Sequence, residues 1–118
     1  MSGAVSYHDG LAAEAQVAAH YLQSGRTIAA RRWRGSGGEI DLVAREGAGL
    51  VFIEVKKAES HARAAERLSR RQMDRIYASA SEFIAGEPLG QGTAVRFDVA
   101  LVDAVGRIEI LENAFGLD

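Results

Sequence analysis

A chain of 118 residues, 47% apolar and 25% charged, has the size and balance of one globular domain, which excludes two domains and a disordered or fibrous chain. A net charge of −2 argues against a protein held to nucleic acid by overall attraction, and the absence of cysteine excludes disulfides and thiolate metal sites. Any metal must then be held by carboxylates, histidines or water, which favours a hard cation, and without an apolar run of roughly 20 residues or a leader pattern a cytoplasmic, non-membrane protein is expected.

In chain order, Asp9 can cap a helix running to about Ser24, with Leu11, Ala15, Ala18 and Leu22 as its apolar face and Gly25 at its stop. A strand is predicted over Thr27 to Trp33. Gly35, Gly37 and Gly38 then break the chain before two strands, Glu39 to Arg45 and Leu50 to Lys57, joined through Glu46-Gly47-Ala48-Gly49. Residues 58–68 are rich in alanine and arginine and read equally as helix or loop. A second helix is predicted from about Arg70 to Ala85, with Met73, Ile76, Ala80, Phe83 and Ile84 on its apolar face and Gly86 and Pro88 ending it. Two last strands, Val95 to Val102 and Arg107 to Leu111, form a hairpin across Asp103 to Gly106. The expected fold class is α/β (α+β), one domain with a mixed sheet of about five strands flanked by helices.

Side chains alternate along a strand, so Glu39 and Asp41 share a face, as do Glu54 and Lys56. If the turn leaves two or four residues unpaired, Asp41 lies opposite Glu54, Glu39 lies opposite Lys56, and all four share one face of the hairpin. The other face carries Ile40, Leu42, Ala44, Val51, Ile53 and Val55. Val43, Leu50 and Phe52 lie on the carboxylate face, so both faces are partly covered. Opposed carboxylates repel, and a divalent cation would relieve them. The competing reading is an ordinary edge hairpin in which Glu39 and Lys56 form a weak cross-strand ion pair.

Gly38-Glu39-Ile40-Asp41-Leu42-Val43 followed by Leu50-Val51-Phe52-Ile53-Glu54-Val55-Lys56 resembles the signature of the YraN-like family of small bacterial proteins, placed in the PD-(D/E)xK nuclease superfamily. Gly10 to Gly25 resembles the family's opening helix, with Glu14 at its acidic position. Arg96-Phe97-Asp98-Val99 and Asn113-Ala114-Phe115 resemble its closing motifs. The resemblance implies a restriction-endonuclease-like domain in which Asp41, Glu54 and the Val55 carbonyl bind Mg2+ or Mn2+ and Lys56 orients or activates water. Glu39 is then an outer acid or a ligand of a second metal. Glu14 reads as a member of the acidic cluster or as a boundary residue paired with an arginine or the helix start. Gln72 reads as a site residue or as the return half of a capping box on Ser69. The chain departs from the pattern at Ala58, where arginine is common, at Arg71, where lysine is usual, and in a shortened segment after Lys56.

Arg31, Arg32 and Arg34, and a second series from Lys56 to Arg75, form local basic clusters. Arg34, Lys57, Arg70 and Arg71 are the candidate nucleic-acid contacts; a solvated helix face is the plainer explanation. His8, His20 and His61 lack metal-ligand spacing and are expected at the surface. The leading expectation is a Mg2+- or Mn2+-dependent endonuclease acting on DNA, structured or branched DNA included, and a homodimer is one way to supply a second site. The alternatives are a non-catalytic nucleic-acid-binding accessory protein on the same fold and an interaction module without a nucleic-acid role.

Overall fold

In a computed structural model the structure describes residues 3–114, with side chains from Gly10 onward. The β-rich centre of the sequence builds β1 (Thr27–Gly35), β2 (Gly38–Glu46) and β3 (Gly49–Lys57), an antiparallel meander. The chain then crosses over through α2 (His61–Ala65) and α3 (Arg70–Ala85) to β4 (Val95–Val102), which runs parallel to β3, and returns as β5 (Ile108–Leu111). The result is a five-stranded mixed sheet in the order β1-β2-β3-β4-β5, flanked by helices as expected.

Each face of the sheet has its own core. Val43, Leu50, Phe52, Phe97, Val99 and Leu101 pack against Ile76, Ala80 and Ile84 of α3. Those helix residues recur every four positions and so form one stripe. Leu42, Ala44, Val51, Ile53, Ala100 and Val102 pack on the other side against α1 (Gly3–Gln23). Covered on both faces, β4 is buried continuously from Phe97 to Val102, the pattern of a central strand beside a parallel neighbour. Among the described residues no helix is long and apolar enough to cross a membrane.

Two expectations need correction. The helix begins at Gly3 rather than after Asp9, and its buried stripe is Ala13, Val17, Ala18 and Tyr21. Ala15 and Leu22 are exposed. The small residues let α1 approach the sheet closely, and Tyr21 turns inward because its hydroxyl donates to the Asp98 carboxylate at 2.7 Å. Ile40, expected beside Leu42, instead packs with Val43, Phe52 and α3. The β2–β3 ladder ends at Leu42 and Ile53, and beyond it β2 pairs only with β1, so strict alternation across the hairpin no longer governs its start.

Asp98 is the fully buried acid of the closing motif. Arg96 donates to it through Nε and Nη2 at 2.8 and 3.0 Å, and the backbone N–H of Asn113 donates at 3.0 Å. Ala114 N–H bonds the Phe97 carbonyl at 2.8 Å, so the segment after β5 is tied back to β4. Phe115 lies outside the described residues. Burial, and then the bond to Asp98, push the Tyr21 phenol above its ordinary range and keep it a donor. Tyr21→Phe removes one donor from a buried carboxylate and should cost about 2 kcal/mol in urea unfolding at neutral pH. An unchanged unfolding midpoint and slope would show that this bond does not hold α1 on the sheet.

Candidate functional site

The site begins with the turn between β1 and β2. Ser36 donates its backbone N–H and its hydroxyl to Glu82 Oε2, both at 2.7 Å, and Ser79 Oγ donates to the Gly38 carbonyl at 2.8 Å. Both acceptors and donors lie between this turn and α3. Gly37 allows the close approach, since a Cβ there would meet the Arg75 carbonyl oxygen at 2.6 Å and Ala78 Cβ at 2.8 Å. The start of β2 is thereby pinned to α3, which fixes where Glu39 and Asp41 can stand.

At that end the hairpin forks. The turn leaves only Gly47 and Ala48 unpaired between Glu46 and Gly49, the two-residue case anticipated above. Where the ladder stops, Asp41 Oδ2 accepts the Val55 backbone N–H at 2.7 Å, so a side chain takes over a strand's hydrogen-bonding group. Glu39 therefore has no partner on β3; its ladder neighbour is Arg34 of β1, not Lys56. Lys56 instead reaches Glu54, Nζ to Oε1 3.9 Å, and is mostly covered.

Glu54 is 5% exposed, and its Oε2 is buried without a hydrogen-bond partner. Burial, and then the hydrogen bond shared with Asp41 and the repulsion between the two acids, push its carboxyl up to about 10 against the opposing pull of Lys56. Glu14 projects from α1 toward the same acids. Burial and then Asp41 raise its pKa, while Arg32, whose Nη1 lies 3.3 Å from Glu14 Oε1, opposes the shift. Glu14 is thus paired with an arginine, within electrostatic reach of Asp41. Arg32 makes that pair from a left-handed backbone, φ 46°, a conformation unusual for a non-glycine residue inside a strand.

A cavity of about 300 Å3 opens over these groups. The acids Glu39, Asp41 and Glu54, the arginines Arg34 and Arg75, and Gln72 line it, with Gly37, Gly38 and Ile76 completing the wall. Ser69 does cap α3, its Oγ accepting the Gln72 N–H at 3.1 Å, while Gln72 itself lines the cavity. Lys57, Arg70 and Arg71 do not line it; Arg70 and Arg71 are exposed at the start of α3, and Arg70 pairs with Asp74 at 3.5 Å. His20 is exposed, while His61 clamps α2 to the last hairpin through the Arg107 carbonyl and Glu109. The side chain of His8 lies outside the described residues.

Among the described residues no group of three or more His, Asp or Glu side chains is arranged to hold a metal ion. The cluster presents a pair of acids instead, Asp41 and Glu54, with hard oxygen donors suited to a cation such as magnesium. The unpartnered Glu54 oxygen is what makes the pair fit one: the buried Oε2 has no donor, and a proton or a cation would compensate it. Sequence reasoning overlooked Arg75 as a lining residue and Ser79 and Glu82 as anchors of the turn. The available signal was spacing, since Arg75, Ser79 and Glu82 follow Gln72 at helical intervals.

A carboxyl raised in the folded state holds its proton while the unfolded chain has released it. The native protein therefore binds more protons between pH 4.5 and about 10, and stability falls as pH rises through that window. In metal-free buffer Glu54→Gln should flatten the fall in urea midpoint between pH 5 and 9. Parallel curves for wild type and variant would contradict the buried, protonated Glu54.

Comparison with known proteins gives a family and relatives. The family model described as "Uncharacterised protein family UPF0102" matches residues 13–102. The chain is similar to a UPF0102 protein of Cereibacter sphaeroides strain KD131, 73% identical over 115 residues that cover 98% of each chain. It is also similar to UPF0102 proteins of Ruegeria pomeroyi, 58% identical over 91% of this chain and 87% of the relative, and of Roseobacter denitrificans, 54% identical over 96% and 88%.

Proposed function

The chain belongs to the uncharacterised protein family UPF0102, and from that premise we propose that it is a metal-dependent nuclease of the PD-(D/E)xK, restriction-endonuclease-like type, hydrolysing phosphodiester bonds of DNA. The observation that carries this reading is Glu54, a buried carboxylate with an unpartnered oxygen set beside Asp41 and Lys56 under an open cavity. An uncompensated acid pair of this kind costs stability, and functional sites are where such costs are retained.

Asp41 and Glu54, with the Val55 carbonyl, would hold Mg2+ or Mn2+. Such an ion supplies Lewis acidity toward a phosphoryl oxygen and brings the pKa of water near neutrality. Asp41 positions the site by gripping the Val55 N–H, which fixes the strand that carries both Glu54 and Lys56. Lys56 sets a covered positive charge beside Glu54, where it orients water and offsets the negative charge that builds during attack on phosphorus. Glu39, at the cavity wall, is placed to receive a proton or to support a second ion. The reading includes a cytoplasmic location and a homodimer wherever both strands of a duplex are cut.

A second reading keeps the fold as a nucleic-acid-binding accessory protein without cleavage. It is favoured by the exposed arginines at the start of α3. It requires binding that weakens steeply with salt and no cleavage with any divalent ion. The two separate in one experiment: calorimetric titration of Mn2+ with cleavage assays on labelled duplex, single-stranded and four-way-junction DNA. Cleavage by wild type should fall by about 100- to 1,000-fold in Lys56→Ala and disappear with metal binding in Asp41→Ala/Glu54→Ala, the variants remaining folded by circular dichroism. Equal cleavage by wild type and variants would sink the mechanism. Absence of Mn2+ binding to wild type would leave the accessory reading.

A further inference from the structure

Arg75 has Arg71, Gln72, Ala78 and Ser79 at the neighbouring positions of its helix, so no carboxylate on α3 can answer its charge. Arg34 stands opposite Glu39 in the β1–β2 ladder, yet the two form no ion pair. Neither guanidinium has a hydrogen-bond or charge partner among the described residues. The contrast with other arginines is plain: Arg45 is held by Glu87 at 2.7 Å, Arg96 by Asp98 at 2.8 Å, and Arg67 by the Lys57 carbonyl at 2.8 Å. Arg31 and Arg71 are likewise unpaired among the described residues, but of these four only Arg34 and Arg75 line the cavity that holds Asp41 and Glu54.

Their backbones are also fixed relative to one another. Arg34 lies two residues before Ser36, whose N–H and hydroxyl are bound by Glu82 of α3. The Arg75 carbonyl sits where Gly37 leaves no room for a side chain. Gln72, three residues before Arg75 on the same helix, adds an amide to the same wall. Two cations directed at one cavity repel one another unless an anion lies between them, and guanidinium forks match phosphate oxygens in geometry.

The geometry points to an anion subsite, formed by Arg34 and Arg75 with Gln72, that takes a phosphate of a nucleotide chain beside the bond addressed by Asp41 and Glu54. This deepens the nuclease reading and rests on it for the reaction, but the anion contact stands on its own observations. The subsite fits one phosphate presented at close range to the acids, whose negative charge the arginines offset.

The test is anisotropy of a short labelled single-stranded DNA with Ca2+, for wild type and Arg34→Gln/Arg75→Gln, over a range of salt. A neutral methylphosphonate strand of the same sequence and inorganic phosphate serve as controls. The arginine variant should bind the phosphodiester strand roughly 10- to 100-fold more weakly with a salt slope reduced by about one, while the neutral strand binds both proteins equally poorly. Mn2+ affinity should not fall in that variant. Equal strand affinity in wild type and the arginine variant, or an equal loss of the neutral strand, would overturn the subsite. So would tighter binding of inorganic phosphate than of the strand, which would assign the arginines to a free anion. Arginine-dependent binding without cleavage by wild type would retain the subsite and reject the nuclease; cleavage unaffected by the arginine change would do the reverse.

Discussion

The bond from the Val55 N–H to Asp41 Oδ2, 2.7 Å long, is where the sheet becomes a site. An antiparallel ladder normally satisfies each inward-facing N–H with a carbonyl of the neighbouring strand. Here the ladder ends at Leu42 and Ile53, and a carboxylate takes the next donor. The substitution lets the strands part without orphaning the backbone, and the parting opens room beside Glu54. It also leaves Asp41 beside Glu54, where burial and then that neighbour push the Glu54 carboxyl up. Everything proposed about cation binding depends on this fork staying open, and the turn's attachment to α3 through Ser36, Glu82, Ser79 and Gly38 keeps it so.

Among the described residues two acids are buried, and they are treated in opposite ways. Asp98, fully buried, collects the Tyr21 hydroxyl, both arms of Arg96 and the Asn113 N–H, so its charge is well compensated and its role is to join α1, β4 and the segment after β5. Glu54, nearly as buried, has an oxygen with no donor, a lysine at 3.9 Å and a second acid beside it. The energetics of a buried ionised group require compensation of several kcal/mol. One residue has that compensation from the fold, and the other lacks it until a proton or a cation arrives. This difference separates an acid that holds the structure together from one set apart for chemistry.

Much of this was legible in the sequence because the signals were local. The two-residue Gly47-Ala48 turn and the alternation of side chains along a strand placed Glu54 and Lys56 on one face, and the limits of α3 follow from a serine cap, Gly86 and Pro88. The failures have a common cause in contacts between distant segments. Nothing near Tyr21 in sequence says that Asp98 will pull it inward, so the stripe of α1 was placed on Leu11, Ala15, Ala18 and Leu22. Nothing near Glu39 says that β2 leaves β3 before reaching Lys56 and pairs with β1 alone, which is also why Ile40 turns toward α3. Arg75 lies in a basic run that reads as a solvated helix face, and only the packing of the β1–β2 turn on α3 sets it on the cavity wall.

The central claim is that Asp41 and Glu54 form a cation site in which Glu54 holds a proton when no metal is bound. Its most direct measurement is Mn2+ calorimetry near pH 7.5 in buffers of different ionisation enthalpy, which counts protons released on binding. The account predicts release of about one proton per ion bound, and loss of both binding and release in Asp41→Asn/Glu54→Gln. Mn2+ binding without proton release, or binding of equal strength in the double variant, would contradict it.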